Sequence, residues 1–187
     1  MNRKQRIVAG ISATALAVGA VGAAVAVTAA SAEPNRPTAK GSTTVTFTDG
    51  ALSALGPLSP RAARPASLGA SGNGLSVQAS FPIVGNSKNG VIDHVGGLTL
   101  SSGTTVLTLR NYQIDTNTGV LTANGFVNGA KVGRIPFLDV ALTAPAAGCD
   151  ASANLTLDGV AADALTLLFG APDLTGAAIG TGCVDYR

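Results

Sequence analysis

The stretch VLTANGFVNGAKVGRIPFLDVALT, Val120 to Thr143, decides the fold class. Two strand-like runs, Val120 to Val127 and Lys131 to Thr143, flank Asn128-Gly129. Both residues of that dipeptide tolerate positive φ, so it closes a tight hairpin. The second run stops before Pro145. Upstream, Asp115-Thr-Asn-Thr-Gly119 reads as a turn entered from a strand over Thr104 to Tyr112. That strand is reached from Gly90–Leu100 through Ser101-Ser-Gly103. Further out, Thr43 to Thr48 alternates, with Val45 and Phe47 on one face and Thr44, Thr46 and Thr48 on the other. Leu75 to Ile83 alternates likewise, and its Pro82 suits a strand end or edge. Leu155 and Leu157 mark a short strand, and Ala177 to Tyr186 reads as the last one. A helix is predicted over Val160 to Phe169, capped by Asp158 and ended by Gly170 and Pro172. Ala54 to Gly74, rich in Pro, Ala, Gly, Ser and Arg, reads as a long surface loop. The expectation is an all-β chain, an antiparallel sandwich or barrel of about seven or eight strands with one short helix in its C-terminal half.

The N-terminus carries a basic stretch (Met1 to Arg6), an apolar run (Ile7 to Ala30) and an Ala30-Ser-Ala32 cleavage signal before Glu33-Pro34. The predicted organisation is a secretory signal peptide over 1–32, a mobile leader over 33–42 and one domain over 43–187. The polar segment to Lys40 favours cleavage over a membrane anchor, leaving no membrane span in the product. The protein is expected outside the cell, free or associated with the wall. Cys149 and Cys183, an even count in an exported chain, are expected to form one disulfide that stabilises the fold by roughly 3 kcal/mol.

Charge and residue supply narrow the function. Of 12 Lys and Arg against 10 Asp and Glu, Arg3, Lys4 and Arg6 lie in the predicted signal, so the remainder is nearly neutral. That excludes a strongly basic nucleic-acid binder. The basic residues are scattered along the chain, and the few aromatics alternate like core residues. Catalysis has little to draw on: one His, one Glu (Glu33), and no G-x-S-x-G elbow. Asp93 and His94 are neighbours in a predicted strand and point to opposite faces. Asp115 to Gly119 opens like a calcium loop, but Phe126 stands where the bidentate acid belongs. No H-E-x-x-H or C-x-x-C is present, so no metal site is expected. The chain reads as non-catalytic. A small hydrolase would need two of Asp93, Asp115 and Asp139 to converge on His94.

Gly90-Val-Ile-Asp-His-Val-Gly-Gly-Leu-Thr-Leu100, then Asn111-Tyr-Gln-Ile114, then Gly119-Val-Leu-Thr-Ala123 carry a further signal. In this order they resemble the centre of the HtaA-type domain of secreted and surface haem-uptake proteins of high-GC Gram-positive bacteria. The resemblance spans about 35 residues, Gly90 to roughly Gly125. It implies a β-rich haem carrier with a Tyr iron ligand supported by a His. His94 matches the family's His. The family's Tyr lies nearer the N-terminus in a segment containing Trp, and this chain has neither residue there. The candidate ligand-binding residues are therefore His94 and Tyr112, with His94 itself or Tyr112 as substitute ligand for haem.

Two readings of His94 stand side by side: a hydrogen-bonded structural residue at a strand bend, and a ligand contact. They separate two functions. One is a binding module for haem or another small hydrophobic ligand. The other is a cell-surface structural or interaction protein, directed at a cell-wall component and without a cofactor. A shared apolar cleft containing both His94 and Tyr112 favours the first.

Overall fold

The computed structural model describes residues 39–70, 74, 76–85 and 89–187. The predicted signal over 1–32, and the leader as far as residue 38, lie outside the described residues. Eleven strands and two helices follow in order: β1 Gly41–Phe47, α1 Asp49–Leu55, β2 Arg61–Ala63, β3 Ser67–Ala70, β4 Val77–Pro82, β5 Val91–Asp93, β6 Gly97–Ser102, β7 Thr105–Asp115, β8 Val120–Val127, β9 Ala130–Thr143, β10 Ala151–Leu157, α2 Gly159–Phe169 and β11 Ala178–Tyr186.

Every strand pairing is antiparallel, and the sheet runs β2-β6-β7-β8-β9-β10-β11-β1-β4-β3, with β5 alongside β7 beyond the end of β6. The sheet curls until its ends nearly meet. An Ile83–His94 bridge spans the seam, flanked by Val84 N–H to the Asp93 carbonyl (2.9 Å) and Val95 N–H to the Pro82 carbonyl (3.1 Å). Closure of this kind removes most of the exposed strand edge. Strand alternation then sends Val45 and Phe47 of β1, Phe81 of β4, Leu98 and Leu100 of β6, Leu107 and Leu109 of β7, and Leu155 of β10 into one interior.

The all-β antiparallel architecture matches the sequence expectation, with corrections in number. Eleven strands replace the expected seven or eight, and a second helix is present. α1 is capped by Thr48, whose Oγ1 accepts from Ala51 N–H at 3.1 Å. The predicted loop over 54–74 holds the end of α1, a 3-10 turn (Gly56–Leu58), β2 and β3. The predicted strand Gly90–Leu100 divides into β5 and β6 around His94. β1 begins at Gly41, inside the span read as leader. α2 starts and stops as predicted: Asp158 accepts from Val160 N–H at 2.7 Å, and Gly170 takes the left-handed cap at φ 66°. Asp115 to Gly119 is a turn in which Asp115 Oδ1 accepts from Asn117 N–H at 2.9 Å.

Cys149 and Cys183 are bonded, with Cα atoms 5.4 Å apart, tying the loop before β10 to β11. The bridge closes a loop with a sequence separation of 34. The Cys149→Ser/Cys183→Ser double variant should lose about 3 kcal/mol of unfolding free energy in urea; a loss below about 1 kcal/mol would show that the sheet holds this corner unaided.

Candidate functional site

A bulge in β7 builds the site. Leu107 and Leu109 face the interior, so strict alternation would send residue 111 inward next. The pairing with β8 instead shifts register between Arg110 and Gln113, and Asn111 adopts φ 53°. The inserted residue turns Asn111 outward and places Tyr112 and Ile114 inside. Opposite the bulge, Gly97 makes room for β7, and Gly96 at φ 84° makes room for the turn after β2. A Cβ on Gly97 would collide with the Leu109 carbonyl, and one on Gly96 with the backbone of Ala66.

His94 sits in this break between β5 and β6, its backbone N–H donating to the Tyr112 carbonyl at 2.8 Å. Its side chain is 3% exposed, and Nε2 lies 2.7 Å from Thr43 Oγ1 on β1. The imidazole therefore struts the seam across the barrel. Nδ1 makes no well-formed hydrogen bond, although the Tyr112 and Ile92 carbonyls lie near the ring. The equally buried hydroxyl of Tyr112 makes none either, with the Leu98 backbone nearby. The Tyr112 ring is held edge-on by Phe81 (centroids 5.0 Å apart) and stacked by Phe137 (6.1 Å).

His94 and Tyr112 line one apolar cavity of about 80 Å³, walled also by Val45, Phe81, Leu109 and Phe137. The two residues singled out in the sequence thus meet in the shared apolar space. Thr43, the partner of His94, was not among them, although it has the same strand parity as Val45 and Phe47. Asp93 points away and accepts from Gln113 Nε2 at 2.9 Å. Among the described residues no group of three His, Cys, Asp or Glu side chains comes together. A second space, a surface cleft of about 420 Å³, lies between Gly50, Ala51 and Ala54 of α1, Leu165 of α2, and Ala178 and Ile179 of β11.

Burial sets the electrostatics. Desolvation pushes the His94 pKa down to about 4, against the opposing pull of the nearby Tyr112 carbonyl and the Asp93 carboxylate. Burial likewise pushes Tyr112 up, keeping its hydroxyl protonated.

No protein-family model and no curated protein matches the chain. Among solved structures, the haem-binding protein HtaB from Corynebacterium glutamicum matches with a TM-score of 0.52 at 10% identity, over 79% of this chain and 93% of that one. The chain shares the fold of HtaB. The C-terminal domain of HtaA from the same organism also matches, at a TM-score of 0.45 and 16% identity, over 78% of this chain and 98% of that one. The likeness to HtaB agrees with the fold implied by the sequence resemblance.

Because His94 is buried neutral, the unfolded chain takes up its proton more readily than the folded one. Stability is full above the ordinary His value near 6.5 and is lost as pH falls toward 4. The loss should amount to about 3 kcal/mol between those limits. Urea unfolding at stepped pH should show this acid limb in the native protein and not in His94→Gln; equal limbs in both would mean that His94 is not the group responsible.

Proposed function

We propose that the protein is a non-catalytic binding module for a small hydrophobic ligand and that it works outside the cell. One observation carries this reading: two buried polar groups, His94 Nδ1 and the Tyr112 hydroxyl, stand without partners in the same apolar cavity. An unpaired buried polar group costs about 1–3 kcal/mol. A mostly apolar ligand carrying a hydroxyl or amine group supplies the partner that either of them lacks. The disulfide supports an oxidising, extracellular setting. The outward-facing Asp93 supports binding over hydrolysis, since its carboxylate is bonded to Gln113 and not to the imidazole.

Haem, the ligand in the name of HtaB, was tested against these walls. The donor types suit it, since imidazole nitrogen and phenolate oxygen both ligate haem iron. The space does not. The interior cavity is about 80 Å³, whereas sites for drug-sized ligands run to about 300–1,000 Å³. Burial also holds Tyr112 as the phenol. The surface cleft has the volume, yet its lining offers no imidazole, thiol or phenol. Room for a porphyrin and groups to hold its iron lie in different places. The interior favours a smaller molecule, below even the dry cavity of about 150 Å³ that admits benzene.

The test is a pair of titrations on residues 33–187: haem followed by visible absorbance, and isopropanol, a probe small enough for the interior, followed by NMR chemical shifts. Native protein, His94→Gln and Tyr112→Phe are compared. We expect saturable probe binding at one per chain, weakened in Tyr112→Phe, and no Soret band that depends on His94. A one-per-chain Soret band weakened by His94→Gln would overturn the size argument and make haem the ligand. Binding of neither would overturn the ligand reading and leave a surface-interaction protein.

A further inference from the structure

Cations that are scattered in sequence are gathered by strand register onto one outer face of the barrel. Arg61 of β2 lies beside Thr99 of β6, which lies beside Thr108 of β7, then Phe126 of β8 and Lys131 of β9. The next outward row runs Ala63, Gly97, Arg110, Asn124 and Arg134 across the same five strands. Arg64 joins them from the turn after β2, its carbonyl accepting from Arg110 Nη2 at 3.3 Å. Five of the seven described Lys and Arg residues therefore share this face, the others being Lys40 and Arg187. All five are exposed. Among the described residues the ion pair present is Arg187 with Asp185, so none of the five is neutralised by a carboxylate. The acids nearest in register are Asp93, one row on and bonded to Gln113, then Asp115 and Asp139 in the row beyond.

The spacing and the residues between the cations say what fits. The charged strands β2, β7 and β9 are each two strands apart, so positive charge recurs about every 9–10 Å across the sheet. Between them stand hydroxyl and amide groups: Thr99 and Thr108, whose Oγ1 atoms lie 3.2 Å apart, Thr122 and Asn124. Guanidinium groups pair well with phosphate oxygens, and the Thr and Asn groups pair with hydroxyls. One half-buried aromatic, Phe126, offers no platform for stacked bases. We propose that this face binds a linear polyol-phosphate polymer, laid across the strands with its phosphodiesters on Arg61, Arg110, Lys131 and Arg134. The surface is separate from the interior cavity and does not depend on the ligand reading.

The probe is purified poly(glycerol phosphate), with dextran as the neutral polymer and single-stranded DNA as the base-bearing polyanion. Among the described residues Arg61 and Lys131 find no side-chain hydrogen-bond acceptor, so Arg61→Glu/Lys131→Glu leaves the fold intact, which its circular dichroism and melting temperature verify. Native protein should bind poly(glycerol phosphate) with an affinity that falls steeply with salt. The double variant should bind at least about tenfold more weakly, while Lys40→Glu/Arg187→Glu binds as the native protein does. The proposal is overturned by binding no tighter than to dextran, by an unchanged affinity in the Arg61/Lys131 variant, or by tighter binding to DNA.

Discussion

A one-residue bulge at Asn111 governs where the rest of the barrel points. Without it, β7 would continue its alternation, turning the amide of Asn111 into the core and the ring of Tyr112 out to solvent. The inserted residue reverses this and brings Tyr112 between Phe81 and Phe137. It also leaves ladder positions open for other uses. Asn111 N–H reaches across to the Gly96 carbonyl at 2.8 Å, and its own carbonyl accepts from Arg134 Nη2 at 3.2 Å. One irregularity thus sets the inner ring of the cavity and anchors a cation of the outer face. Bulges bend and twist the strand that carries them, which helps a sheet of this length to curl.

The seam facing that bulge is where the barrel accepts an electrostatic cost. Most closures of a sheet can be made with aliphatic side chains and backbone bonds alone. Here an imidazole spans the gap to Thr43, is held neutral, and leaves one nitrogen unpaired. An aliphatic residue at position 94 would pack without these penalties, since replacing a buried polar pair by apolar groups of similar shape is often nearly neutral. The local geometry also limits what surrounds it: Gly96 and Gly97 have no room for a Cβ against Ala66 and Leu109. An expensive residue in so constrained a place is more economically explained by a use for its free nitrogen than by closure of the barrel.

Much of this was legible in the sequence, and the rest was hidden for identifiable reasons. Period-two alternation and Asn128-Gly129 exposed the antiparallel architecture, and Asp158 with Gly170 bracketed α2, because those signals are local. The strands β2 and β3 have three and four residues. At that length no periodicity can rise above a Pro- and Ala-rich background, and only tertiary pairing defines them. The seven-residue α1 opens on Thr48-Asp49-Gly50, which reads equally well as a turn. His94 and Tyr112 stood out as rare residue types. That they share a cavity depends on the β5–β7 register and on Thr43, 51 residues from His94, and no local signal encodes either.

The same registers explain why the charged face was invisible beforehand. A strand's side chains alternate between two environments, so each register fixes an inner and an outer arrangement together. Arg110 and Arg134 share an outward row through Asn124, while Leu109 and Ile135 on the same strands face in. A one-residue slip would exchange these sets and put guanidinium groups in the core, which makes the register very costly to change. Once it is fixed by the apolar interior, the outer positions are free to vary without disturbing the packing. Nothing in the interior requires cations at Arg61 or Lys131, whose side chains make no bond among the described residues. Their alignment across the sheet is a property of the surface alone, and so is whatever it recognises.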